Sequence, residues 1–270
     1  MQRMKKIKKY LGVLKVLIAL RFHNLMVFRM DFLAPFFIDG SLFLVQLLIF
    51  QAVYANVDTV GGWGSGEMIL YIGTFSLLNA VSMLVCFFGI VTIPEKIRSG
   101  EMDLYLSKPI SPLFRLTFEK VNPGSGLLVI MSILIIVYGA GKTEGSFTLK
   151  RVLAYLFWVT VMQILYYEME VIIRSVSFYV VSAARISQLE EAGLDLCMKL
   201  PGIAFYGVYK VIFYFILPYG IMATLPVQSL IGEMTPSLAA MGIGVVGAFT
   251  LLTYLLWTRG IRHYNSVQGA

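Results

Sequence analysis

Long apolar runs alternate with short polar intervals along the whole chain. Each long run has about 20 residues, the length at which an α-helix rising about 1.5 Å per residue crosses a hydrocarbon core of roughly 30 Å. We therefore expect an all-α membrane protein with six transmembrane helices, in a transmembrane domain that covers residues 32–258. The six predicted spans are residues 32–54, 68–93, 124–140, 152 to beyond 174, 204–225 and 238–257.

The start of the chain has a different pattern. Residues 10–30 place leucine and phenylalanine side chains at roughly helical spacing, with basic residues among them. This spacing is typical of an amphipathic helix that lies in the inner membrane interface. Residues 1–31 are therefore expected to form a cytoplasmic N-terminus with an interfacial helix, and residues 259–270 a cytoplasmic tail. Because basic side chains interrupt the apolar part, we predict no cleavable signal peptide.

The distribution of basic residues predicts the topology. Under this assignment, seventeen of the 22 Lys and Arg residues lie on one side of the membrane. Since basic residues accumulate on the cytoplasmic side, we expect a multi-pass plasma-membrane protein with both termini in the cytoplasm. Residues 141–151 carry three basic residues on the opposite side. A partly re-entrant fourth segment therefore remains an alternative, and the topology of residues 141–200 stays open.

Composition excludes a soluble fold. The 270 residues are 58% hydrophobic and only 14% charged, with a mean hydropathy of +0.80, whereas soluble domains carry about 25% charged residues. The net charge of +7 gathers in segments assigned to the inner side, where basic residues set topology and contact lipid headgroups. We expect membrane lipid as a partner and no nucleic acid.

The sequence predicts neither a metal site nor a nucleotide site on this chain. Cys86 lies in an apolar run and Cys197 stands alone, so neither has the spacing of a metal ligand. Gly141-Lys142-Thr143 resembles the end of a phosphate-binding loop. However, Ile136 occupies the position of the first glycine that such a loop needs.

Residues 93–124, called the polar interval below, form the longest polar-studded stretch of the chain. Pro94 suits the first turn of a helix and Gly100 weakens it, while Ser111 and Pro112 suit the start of a second helix. Leu104 is expected among charged residues. Helical angles place Met102, Tyr105 and Leu106 on one face and Glu101, Asp103, Ser107 and Lys108 on the opposite face.

Two interpretations of the polar interval follow from the residues alone. It is either an interfacial helix that only joins two spans, or a cytoplasmic lever that engages a soluble motor. An apolar side chain ringed by charge, as expected for Leu104, suits a docking feature for a protein partner.

The stretch "IRSGEMDLYLSKPISPLF" resembles the signature of a bacterial branch of the type-2 ABC exporter permeases. Lys108 stands where arginine is more usual. The later stretch "ILPYGIMATLPVQSLIG" is similar to a proline-containing segment of the branch, and "SVSFYV" is similar to its Phe-Trp element only in part, with Tyr179 replacing the tryptophan. The residues that match the signature in order are Gly100, Asp103, Leu106, Lys108, Pro109 and Pro112.

The resemblance implies a non-catalytic permease subunit of an ATP-driven exporter in a bacterial cell membrane. Its expected partners are ABC ATPase subunits, which would bind ATP and Mg, and a second permease that is identical or homologous. Residues 94–123 would hold the coupling helix, seated in a cleft of the ATPase. The residues expected at that contact are Ile97, Arg98, Gly100, Glu101, Asp103, Leu104, Lys108 and Pro109.

Four charged residues inside the predicted spans are candidates for the transport pathway. Asp39 and Lys210 would lie about 10 Å and about 9 Å deep, where an unpaired charge is costly. We expect both to face the protein interior or a watery vestibule and to pair, although Lys210 reaching to the headgroups is an alternative. Glu170 and Arg174 have the spacing of a same-helix ion pair, which either supports the fourth span or belongs to the pathway.

Two other functions remain open at this point. An ion-coupled secondary carrier would need carboxylates near the bilayer centre and usually an internal repeat. A non-transporting membrane scaffold would need neither. The substrate, expected to be amphipathic, and the choice between a homodimer and a heterodimer of permeases are not fixed by the sequence.

Overall fold

The computed structural model describes residues 10, 12–21, 29–143, 147–180 and 184–268. A first helix, α1, covers residues 12–21. The rest of the predicted interfacial helix, at residues 22–28, lies outside the described residues. So does the centre of the 141–151 loop.

Helices form all of the regular structure in the described residues, apart from one isolated bridge between Val60 and Trp63. The longer helices are α2 Arg29–Tyr54, α3 Ser65–Val85, α8 Gly126–Lys142, α9 Leu149–Ser175, α10 Ala184–Lys199, α12 Tyr219–Ile231 and α13 Pro236–Gln268. The short helices are α4 Phe87–Ile90, α5 Ile93–Arg98, α6 Asp103–Leu106, α7 Pro112–Glu119 and α11 Gly207–Val211.

The predicted all-α membrane architecture is confirmed. Within the described ranges, five helical segments are long and apolar enough to cross a membrane. They are Phe36–Tyr54, Ser65–Val85, Pro123–Lys142, Leu149–Phe178 and Pro236–Tyr264. These correspond to predicted spans one to four and six. The fourth is a continuous helix, so the re-entrant alternative for it is wrong. The last continues as one helix through the predicted tail.

The predicted fifth span, residues 204–225, is not a straight helix. Helical residues Gly207–Ile216 and Tyr219–Ile231 meet at an angle of 89°. Residues Ile212–Ile216 form a π-helical turn, and Pro218 lies in the break between the two helices. Because proline has no backbone N–H and clashes with the preceding turn, it ends one helix and opens the next. The pair is a broken span or a re-entrant hairpin.

Residues 183–202, between the predicted fourth and fifth spans, are largely the helix α10, and this helix packs among the spans. The Gln46 side chain of α2 donates a hydrogen bond to the carbonyl of Met198. The Tyr71 hydroxyl of α3 donates to the carbonyls of Cys197 and Leu200. The average hydropathy of this segment does not reveal the helix, because its charged residues outweigh the residues on the buried side.

The centre of the bundle is α3, which packs most extensively against α8, while α12 packs against α9. Small residues bring the backbones of α3 and α8 together. A Cβ atom added at Gly139 would lie 2.7 Å from the backbone nitrogen of Leu70, and one at Gly73 would lie 2.9 Å from that of Ile136. Glycines at such crossings allow close packing of membrane helices.

We expect Gly139→Leu to destabilise the bundle, because the new side chain must push α8 away from α3. Overpacking of this kind costs about 1–3 kcal/mol. The measurement is the melting temperature of the detergent-solubilised protein. Gly141→Leu on the same helix is the matched control, since a Cβ atom there meets nothing within 4 Å. Equal melting temperatures for the two variants would contradict the close α3–α8 contact.

Candidate functional site

The polar interval folds into three short helices separated by two breaks. Gly100 ends the first, α5, in a left-handed backbone conformation (φ 79°) that favours glycine. The second, α6, stops before Pro109. The third, α7, begins as predicted, with Pro112 in its first turn and the Ser111 side chain accepting a hydrogen bond from the backbone N–H of Phe114.

Tyr105 ties the three helices together. The Lys96 ammonium of α5 lies 4.8 Å from the centre of its ring, and the Arg115 guanidinium of α7 lies 4.6 Å from it. Burial raises the pKa of the Tyr105 hydroxyl, so the group stays protonated and donates to the Glu119 carboxylate at 2.7 Å. Two cation–π contacts and a charge-assisted hydrogen bond make the interval one rigid unit.

The buried face of the polar interval packs against the ends of two long helices. Met102 and Tyr105 share a hydrophobic cluster with Val171 of α9 and Trp257 of α13. Phe178, just after α9, joins the cluster, and its ring also fills the space beside Gly260 of α13. A displacement of the interval therefore bears on α9 and, through Phe178, on α13.

The opposite face of the interval is open to solvent in this chain. Leu104 is 62% exposed, and Glu101, at 57% side-chain exposure, pairs with Lys96 at 3.4 Å. The predicted division of faces is confirmed. Of the residues expected at a partner contact, Ile97 turns partly inward and Gly100 is half-buried. The exposed members are Arg98, Glu101, Asp103, Leu104, Lys108 and Pro109.

Tyr10, which lies just before helix α1, contacts the polar interval. The Tyr10 hydroxyl accepts a hydrogen bond from the backbone N–H of Ser111 at 3.2 Å. Its ring packs edge-on against Phe114 at 4.7 Å. The N-terminal segment is thus held beside α7.

Glu170 and Arg174 form the predicted same-helix ion pair, with 3.1 Å between Oε2 and Nη2, and both are buried. The pair has a third member that sequence reasoning missed. Glu190 of α10 also binds Arg174, and its other oxygen accepts from the Tyr219 hydroxyl at 3.5 Å. This cluster, called the Arg174 cluster below, joins α9, α10 and α12, which supports the structural interpretation of the predicted pair.

Asp39 and Lys210 do not pair in the described part of the chain. Asp39 is half-buried on α2, whereas Lys210 is exposed on α11 and lies 5.4 Å from the Tyr214 ring. Lys210 therefore does not face the interior of this chain, and its expected place in a watery vestibule stays a prediction. The alternative in which its long side chain reaches outward agrees with this placement.

Two further carboxylate contacts between distant helices and loops were not predicted. Glu168 of α9 accepts a hydrogen bond from Thr250 of α13. Glu233, after α12, accepts from the Trp63 indole at 3.1 Å. Neither residue has a partner close in sequence, so only the packing of distant helices reveals these contacts.

No group of three or more His, Cys, Asp or Glu side chains is placed to hold a metal ion in the described ranges. Lys142 of the Gly-Lys-Thr stretch ends α8, with its ammonium 4.9 Å from the Tyr138 ring. It therefore does not lie in a strand-to-helix loop of the kind that wraps phosphates.

These features define a multi-span α-helical membrane subunit of the permease class, with a rigid polar segment docked on the ends of two membrane helices. The family described as ABC-2 family transporter protein matches residues 41–268. That match covers most of the chain, so the protein belongs to this family and is a membrane permease of an ABC transporter. No curated protein and no solved structure matches it.

We expect Arg174→Met to destabilise the protein strongly, because it leaves Glu170 and Glu190 buried without their cation. Removing one partner of a buried ionic group costs about 3–5 kcal/mol. The measurement is again the melting temperature, with Arg259→Met as the control at an exposed position of α13. The triple variant E170Q/R174M/E190Q, which removes all three charges of the Arg174 cluster, should recover much of the loss. An unchanged melting temperature for Arg174→Met would contradict the role of the cluster.

Proposed function

We propose that this chain is the permease subunit of an ATP-driven exporter, and that residues 94–123 couple it to a separate ABC ATPase. The observation that carries the proposal is the two-sided construction of the polar interval. One face packs on α9 and α13, and the other presents Leu104 among charged side chains. Membership of the ABC-2 family supports the transport function.

The rigidity of the interval suits a mechanical role. A short rigid unit passes force to the helices on which it packs, because packed interfaces move as bodies rather than deform continuously. The ATPase must contact the interval differently in its two nucleotide states, since contact that is equal in both shifts no equilibrium. In this scheme ATP-driven closure of the ATPase pair moves α9 and α13 against the rest of the bundle.

The remaining parts of the proposal concern partners and orientation. ATP and Mg bind the ATPase subunits, and this chain binds no cofactor. A second permease, identical or homologous, completes the transporter within a bacterial cell membrane. Both termini and the polar interval lie in the cytoplasm, which the accumulation of basic residues at that side supports.

We expect Leu104→Glu to uncouple the permease from the ATPase while the bundle stays folded. The side chain is exposed, so the change costs little stability, but it places a charge where an apolar contact is needed. The full-length tagged chain is purified from its native membranes, the ATPase that accompanies it is identified, and ATP hydrolysis is measured. The variant should lose most of the associated ATPase and of the substrate-stimulated hydrolysis.

Val57→Glu is the matched control. Val57 is an exposed apolar residue in the loop between α2 and α3, at the opposite end of the bundle. It should retain the ATPase at the wild-type level. If Leu104→Glu retains the ATPase equally well, or if no ATPase accompanies the wild-type chain, coupling through the polar interval is rejected.

A further inference from the structure

Helix α10 exposes more charged and polar side chains than the apolar membrane helices beside it. Its outward side presents Gln188, Glu191, Asp195 and Lys199, all exposed. Asp195 and Lys199 pair at 2.6 Å with side chains 65% and 52% exposed, while Glu191 forms no ion pair with any described residue. The opposite side of the helix is buried, with Glu190, Gly193 and Cys197 turned towards the bundle.

The contacts of α10 place it at the depth of the membrane helices. In its first half, Glu190 binds Arg174, near the end of α9 that also carries the polar interval. At its end, Met198 accepts from Gln46, near the middle of the span Phe36–Tyr54. Just beyond, Gly202 donates its N–H to the Thr224 hydroxyl inside the bundle at 3.0 Å.

The segment after α10 extends the same path. A Cβ atom added at Gly61, in the loop between α2 and α3, would lie 3.0 Å from the Ile203 side chain. The chain from Glu190 to Ile203 therefore rises from the end of the bundle that carries the polar interval towards the end formed by residues 55–64. The helical part of this path, residues 190–199, rises about 14 Å at about 1.5 Å per residue.

A charged helix face at this depth cannot face hydrocarbon. Ionisable side chains at membrane depth face the bundle interior or a water-filled cavity, because exposing them to lipid is costly. The outward face of α10 does not contact the bundle, since its charged side chains are exposed. The contacts of Met198 with Gln46 and of Gly202 with Thr224 hold the second half of α10 beside the middle of the spans, so Asp195 does not face the bulk cytosol. Gln188 and Glu191 lie next to Glu190, at the end of the bundle that carries the polar interval.

We infer that the outward face of α10 lines the hydrated translocation pathway of the permease, with Gln188, Glu191 and Asp195 as pathway residues. This inference rests on the proposed function for its meaning, but the hydration of the face is a property of the chain alone. It adds residues of α10 to the pathway candidates Asp39 and Lys210. The buried side of α10 then has a role as well: through the Arg174 cluster it holds the helix in place, while the opposite face contacts the solute.

The test uses single cysteines at Gln188→Cys, Glu191→Cys and Asp195→Cys in the full chain, reconstituted in lipid nanodiscs where both membrane faces are accessible. Each is treated with a small charged methanethiosulfonate reagent and, separately, with a polyethylene-glycol maleimide of several kilodaltons. We expect the small reagent to label all three positions and the large reagent to label none. A pathway enclosed by protein and membrane admits the first and excludes the second.

Three controls give the reference levels of labelling. The wild-type chain gives the background, since Cys86 and Cys197 are buried. Val57→Cys, in an exposed loop, should react with both reagents, and Leu134→Cys, exposed on the apolar helix α8, should react with neither. Labelling of α10 by both reagents would place it in the bulk solvent, and labelling by neither would place it against lipid or another subunit. Either result overturns the inference.

The outcome is independent of the proposed ATPase coupling. The labelling needs no ATP, no ATPase and no substrate, so it can fail while Leu104→Glu still uncouples the transporter. Conversely, if no ATPase accompanies the chain, selective labelling of α10 by the small reagent still establishes a hydrated path through the membrane protein.

Discussion

The guanidinium of Arg174 joins three helices near the end of the bundle that carries the polar interval. It binds Glu170 on its own helix and Glu190 on α10, and Glu190 in turn accepts from Tyr219 of α12. The charges are buried, and a buried cation is tolerated only when its partners satisfy it completely. The polar helix α10 can therefore stay beside apolar spans because one of its carboxylates is satisfied by α9.

The last turns of α9 serve two purposes at once. Val171 and Phe178 receive the buried face of the polar interval, while Arg174, between them in sequence, holds α10. The rigid interval, α9 and α10 thus form one contiguous chain of packed and ion-paired contacts. A chain of packed and ion-paired residues of this kind can carry energetic coupling between two sites. Here it links the polar interval to α10.

Sequence patterns predicted those parts of the fold in which local chemistry decides the outcome. Span length and apolar content identified five of the spans, and helical spacing gave the correct faces around Leu104 and the Glu170–Arg174 pair. The pattern failed where tertiary contacts override hydropathy. The charged residues of α10 lower its average hydropathy, so hydropathy does not identify it as a helix of the bundle. Only the burial of Glu190 and Cys197 in the structure shows that one side of α10 packs within the bundle.

The break at Pro218 and the polarity of α10 are explained by the same physical constraint. In hydrocarbon every backbone and charged group needs a partner within the protein, so irregular or polar segments persist at membrane depth only where protein or water covers them. The bend before Tyr219 brings α12 into the core, where its hydroxyl meets Glu190. The broken helix thus supplies the cover that the buried side of α10 requires, while the outward side stays exposed in this chain.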